Sequence, residues 1–226
     1  MTGLFIALEG PEGAGKSTQV GMLARWLRSQ GLDPVVTREP GGTPVGEEAR
    51  RILLESERVA PETELLLMLA ARSALVADVI RPALEAGRVV VTDRFFLSTL
   101  AYQVHGRGLP RQEVEAMNAF ATGHLAPDTT ILLDVDPAVG AARRRAAGGA
   151  DDRIEGAGEA FHRRVSEAYR LLAGEDETIQ RVDGSADPAR VHAMVVGTLA
   201  RRYPETFGGP EGYRDPAADE RQQAED

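Results

Sequence analysis

Five short runs rich in apolar and β-branched residues stand out along the chain: Leu4–Leu8, Pro34–Thr37, Arg88–Thr92, Thr129–Val135 and Thr178–Val182. Each has the length of a strand and is too short for an amphipathic helix. Between them the apolar positions recur with helical period, predicting helices over Lys16–Ser29, Glu62–Ala86, Pro110–Thr122, Pro137–Ala147, Glu159–Ala173 and Pro188–Arg202. Val89–Val91 and Ile131–Leu133 do not alternate with polar residues, as strands covered on both faces do not, and parallel strands need helical crossovers. The order of elements therefore predicts an α/β fold, a doubly wound parallel five-stranded sheet flanked by helices. From Pro204 the periodicity stops, so the sequence predicts one domain over 1–203 and a disordered tail over 204–226.

With 226 residues, 42% of them hydrophobic, the chain can bury one substantial core. A formal net charge of −9 gives no support to a nucleic-acid-binding surface. The absence of cysteine excludes disulfides, thiolate metal sites and thiol nucleophiles. No basic n-region with an apolar h-region opens the chain, and no apolar run approaches the roughly 20 residues that span a bilayer. A cytoplasmic protein without membrane partners is the expectation.

Chemistry enters at Gly10-Pro11-Glu12-Gly13-Ala14-Gly15-Lys16-Ser17, followed by Thr18, which fits G-x-x-x-x-G-K-[ST] between a predicted strand and a predicted helix. Glycines let successive backbone N–H groups point inward, and the helix N-terminus adds positive potential. Lys16 supplies a mobile charge, and Ser17 a ligand for Mg²⁺. The loop predicts binding of a nucleoside triphosphate but not the fate of its phosphate, since motors, switches and kinases share it.

Three further groups lie where strands end: Thr37-Arg38-Glu39-Pro40-Gly41-Gly42, Asp93-Arg94-Phe95, and Ala101-Tyr102-Gln103 with Gly106-Arg107-Gly108. Ligands bind at that edge of open α/β sheets. Together with the phosphate loop these groups resemble the thymidylate kinase family from about Leu4 to Arg202. The resemblance implies a P-loop kinase with a mobile lid that moves the γ-phosphate of ATP to dTMP, giving dTDP for dTTP synthesis, and that works as a homodimer. It implies that Arg38 and Arg94 grip the acceptor phosphate, to which planar guanidinium forks are suited. Asp93 joins Ser17 at Mg²⁺, and Glu12 faces the acceptor sugar. Arg72 reads the base with Thr99 and Gln103, Tyr102 packs on the deoxyribose, and Arg50 lies nearby.

Two departures from the family pattern carry expectations of their own. Met68 stands where a phenylalanine usually stacks on thymine, which shifts selectivity onto Arg72, Thr99 and Gln103 and loosens it. Gly13 and Ala14 stand where some members carry a phosphate-loop arginine, so the catalytic cations beside Lys16 and Arg94 are expected from the lid, about 143–155. Arg143, Arg145 and Arg153 are the candidates there. The remaining readings of the same residues are a kinase for another nucleoside monophosphate and a P-loop switch or ATPase.

Overall fold

The computed structural model describes residues 3–148 and 152–208. Strand β1 (Leu4–Glu9) is flanked by β3 (Val89–Asp93) and β4 (Thr129–Asp134), with β2 (Val35–Arg38) and β5 (Ile179–Asp183) at the edges, all parallel in the order β2-β3-β1-β4-β5. The five expected strands are present, each within one residue of its expected bounds.

Alternation along β1 sends Ile6 and Leu8 to one face of the sheet and Phe5 and Ala7 to the other, all fully buried. The first face is covered by α1 (Lys16–Ser29) and α9 (Pro188–Arg202), through Val20, Leu23 and Leu27 against Val191, Val195 and Leu199. The other receives α3 (Pro61–Leu75), which widens to π-type turns at Val76–Ile80 and continues as α4 (Arg81–Glu85). Pro82 sits just beyond the widening, and its ring nitrogen cannot donate to the carbonyl of Asp78. Beside it lies α6 (Arg111–Thr122), and α8 (Glu159–Glu175) covers β4 through Val165, Ala168 and Leu172.

Two helical stretches were not expected. Helix α2 (Pro44–Glu55) buries only Gly46, Ala49 and Leu53, and so covers little of the core. Its start is nevertheless written in the sequence: the Thr43 hydroxyl accepts from Gly46 N–H at 3.0 Å, Pro44 opens the first turn, and Glu47 faces the positive end. Helix α5 (Phe96–Thr99) runs into π-type turns over Leu100–Gly106.

The first residues of the expected tail are folded. Residues Pro204–Phe207 form a helical turn, α10, because the Phe207 ring is buried with its centroid 5.3 Å from that of Trp26. Burying one phenylalanine against an aromatic partner stabilises the turn enough to order so short a segment. The rest of the expected tail, 209–226, lies outside the described residues, as do 149–151 of the expected lid.

Candidate active site

The chain segments at the carboxyl ends of β1, β2 and β3 line one cleft of about 550 Å³. Register brings its two halves together: Leu8 pairs with Asp93 and Arg38 with the same residue from the other side.

The chain leaves β1 into a loop that closes on itself. Lys16, almost fully buried, donates from Nζ to the carbonyls of Gly10 (3.0 Å) and Pro11 (2.9 Å). Burial pulls its pKa down to about 8, with the like charge of Arg94 next, against Glu12, Asp93 and Glu9, which pull it up. Ser17 Oγ donates to Asp93 Oδ2 at 2.6 Å, so a hydroxyl and a carboxylate meet at the mouth of the loop. Two hard oxygens beside a phosphate cradle are the donor set Mg²⁺ uses when phosphates supply further ligands. Gly13 has φ 75°, and a Cβ there would collide with the Gly140 carbonyl of α7 (Pro137–Ala147). This approach leaves no room for a side chain at Gly13, and it brings the cations of α7 close to the loop.

Arg94 is the hub of the cleft. Its backbone holds φ 73°, a conformation L side chains rarely adopt, with its N–H donating to the Leu8 carbonyl at 2.9 Å. Its Nη2 pairs with Glu12, while Nη1 donates to Gly10 O (3.2 Å), Ser98 Oγ (2.9 Å) and Tyr169 OH (3.1 Å). Burial alone would raise the carboxyl of Glu12, but Arg94, Lys16, the Tyr102 hydroxyl and Arg144 bring it down to about 2. Behind Arg94 stands Glu9, fully buried at the end of β1. It accepts from Phe95 N (2.7 Å), Ser98 N (3.1 Å), Ser98 Oγ (2.6 Å) and Tyr169 OH (3.1 Å), fixing the start of α5 and the two hydroxyls that orient Arg94. Sequence reasoning missed Glu9, although a carboxylate closing an apolar strand was a signal.

On the other wall Arg72, 2% exposed, donates from Nε and Nη2 to Glu39 and from Nη1 to Thr99 Oγ1 (3.1 Å) and Asn118 Oδ1 (2.9 Å). Its guanidinium lies 5.0 Å from the Phe95 ring centroid. These bonds leave one Nη2 hydrogen for a ligand. Met68, Arg50, Tyr102 and Gln103 line the same wall. Arg38 is half exposed and is held by both oxygens of Glu47 at 2.9 Å.

The expected lid cations separate. Arg143 lines the cleft, but its guanidinium is spent on the carbonyls of Gly184 (2.7 Å), Ser185 (3.0 Å) and Ala186 (3.2 Å), tying α7 to the loop after β5. Arg145 is exposed and outside the cleft lining. Arg153 is paired with Glu64 at 2.7 Å and donates to Leu53 O at 2.8 Å, also outside the lining. Arg144, from the same helix, also lines the cleft, and its buried Nη1 has no hydrogen-bond partner among the described residues. Helical spacing explains the separation: Arg143, Arg144 and Arg145 point about 100° apart, and the sequence does not say which direction faces the phosphate loop.

The geometry is matched by known proteins. The thymidylate kinase family model matches residues 8–195. A thymidylate kinase of Pseudomonas putida is 53% identical over 208 residues, covering 89% of this chain and 99% of the relative. That of Thermomicrobium roseum is 52% identical over 192 residues, covering 85% and 91%. The crystal structure of thymidylate kinase from Ehrlichia chaffeensis superposes with a TM-score of 0.74 at 28% identity, covering 88% of this chain and 100% of that one.

Proposed function

The chain belongs to the thymidylate kinase family, and from that premise we propose that its cleft binds ATP and dTMP at once and transfers the γ-phosphoryl group in line, giving ADP and dTDP. The observation that carries this reading is that three cations, Lys16 of the phosphate loop, Arg94 beside it and Arg38 at the end of β2, line one cleft.

In this account ATP phosphates displace the loop carbonyls from Lys16 and take its charge, with backbone N–H groups of Gly13–Thr18 around them. Ser17 and Asp93 would hold Mg²⁺, which supplies charge neutralisation on the donor phosphates when bound. Arg38 leaves Glu47 for the acceptor phosphate, and Arg94 grips the same group while Glu12 keeps it in place. The single free Nη2 hydrogen of Arg72 suits one carbonyl of the base, with Thr99, Gln103 and Met68 around the ring and Tyr102 against the sugar. Glu12 stays ionised throughout the working range and faces the acceptor sugar. No general base is required, because the attacking oxygen belongs to a phosphate already ionised at neutral pH. Arg144 stabilises charge on the transferring group, a role that dominates phosphoryl transfer.

The proposal includes a homodimer and a cytoplasmic setting. Support for the dimer comes from exposed Val45 and Ile52 on α2, Leu66 on α3 and Phe120 on α6, helices packed side by side. An acceptor screen with ADP release as readout tests the whole. Turnover should require a pyrimidine deoxynucleoside monophosphate, whereas equal ATP turnover with and without any monophosphate would return the chain to the P-loop switch reading.

A further inference from the structure

Gln103 is 1% exposed, lines the cleft, and donates from Nε2 to Glu64 Oε1 at 2.8 Å. Glu64, in the first turn of α3, is equally buried. It also accepts hydrogen bonds from Arg107 Nε (3.2 Å) and Nη2 (3.1 Å), and forms an ion pair with Arg153 Nη2 at 2.7 Å. Burial would raise the Glu64 carboxyl, but the Arg107, Gln103 and Arg153 bonds lower it below the ordinary carboxylate range, so the group is ionised and acceptor-only. A glutamine amide carries a donor on one side and an acceptor on the other. Opposite an acceptor-only partner its nitrogen must turn inward. The Gln103 oxygen, which has no hydrogen-bond partner among the described residues, is then left for the cleft.

We propose that Glu64 is a positioning residue that fixes the polarity of the Gln103 amide, so that the cleft selects an acceptor base carrying an N–H at ring position 3 and rejects one carrying a lone pair there. The proposal rests on the reading of this wall as the base site. Thymine and uracil offer that N–H, while cytosine offers a lone pair that would meet the Gln103 oxygen head on. Glu64 also links the base site to the far end of the expected lid, because Arg153 is held between its carboxylate and the Leu53 carbonyl.

The test compares kcat/KM for dTMP, dUMP and dCMP in the wild type, Glu64→Gln, Glu64→Asp and Gln103→Leu. An amide at 64 can pair with the Gln103 amide in either orientation. The dTMP to dCMP preference should therefore fall by roughly tenfold or more in Glu64→Gln, chiefly through KM. Glu64→Asp keeps an acceptor-only group and should keep the preference, even with weaker binding of every acceptor. A purely structural role would weaken all acceptors alike and leave the ratio unmoved, and that result overturns the proposal. If Gln103→Leu also leaves the ratio unmoved, the base-site reading itself is wrong. Should Glu64→Gln not fold, the wild type still decides. Its Gln103 side-chain amide protons should exchange slowly in NMR, with and without dTMP, and exchange at the rate of a surface glutamine overturns the proposal.

Discussion

Replacing Arg144 by alanine isolates the cation assigned to the transferring phosphoryl group. Nη1 of Arg144 makes no hydrogen bond in the described residues, so truncation removes charge from the cleft while breaking little of the fold. Removing one preorganised donor to a transition-state charge costs about 3–4 kcal/mol, so kcat should fall by roughly 10²–10³ with the Tm nearly unchanged. Arg143→Ala should behave in the opposite way. It deletes three bonds to the carbonyls of Gly184, Ser185 and Ala186. Discounted for partial exposure, that loss is about 2 kcal/mol, or roughly 4–8 °C in Tm for a chain of this size. Steady-state kinetics with ATP and dTMP, paired with thermal melts of Arg143→Ala, Arg144→Ala and Arg145→Ala, separates the roles. A kcat for Arg144→Ala within about twofold of wild type, beside a hundredfold loss in Arg143→Ala or Arg145→Ala, would refute the assignment.

Three other outcomes are expected. The Lys16 ammonium, with a pKa near 8 in the free cleft, is stabilised in its charged form by bound phosphates. ATP affinity should therefore be full below about pH 8 and fall as pH rises through that value, with proton uptake on binding near it; calorimetry in buffers of different ionisation enthalpy measures the uptake, and none would contradict the placement of Lys16. Met68→Phe places a ring where the cleft has a thioether; a gain of about 0.5–1.4 kcal/mol from stacking should lower the KM for dTMP roughly two- to tenfold and sharpen its preference over dUMP, measured by steady-state kinetics. Phe120, 90% exposed on α6, should be needed for association; sedimentation of Phe120→Lys is expected to show monomers with a melt close to that of the parent, and an unchanged mass would contradict the interface.

Much of this architecture was legible in the sequence because the dominant signals are local. Strands buried on both faces read as continuous apolar runs, and the Gly10–Ser17 spacing fixes a loop between β1 and α1 whatever surrounds it. Helix α2, which covers little core, was missed although its amphipathic spacing and its cap at Thr43 are both local signals. Within the cleft the expected Glu12, Arg38, Met68, Arg72, Arg94, Thr99, Tyr102 and Gln103 are gathered together. The residues that the sequence left unplaced are those whose surroundings depend on tertiary contacts. Arg144 differs from its two neighbours only in the direction it faces, Arg153 is held by a carboxylate 89 positions earlier in the chain, and Glu9 matters through Ser98 and Tyr169. None of those pairings has a local signature.

The account stands on two nucleotides meeting across one cleft, and the fate of the phosphoryl group reports this directly. With ATP labelled at the γ-phosphorus and dTMP present, the label should appear at the β-position of dTDP, one dTDP for each ADP formed. Label released as inorganic phosphate, at a rate indifferent to dTMP, would contradict it.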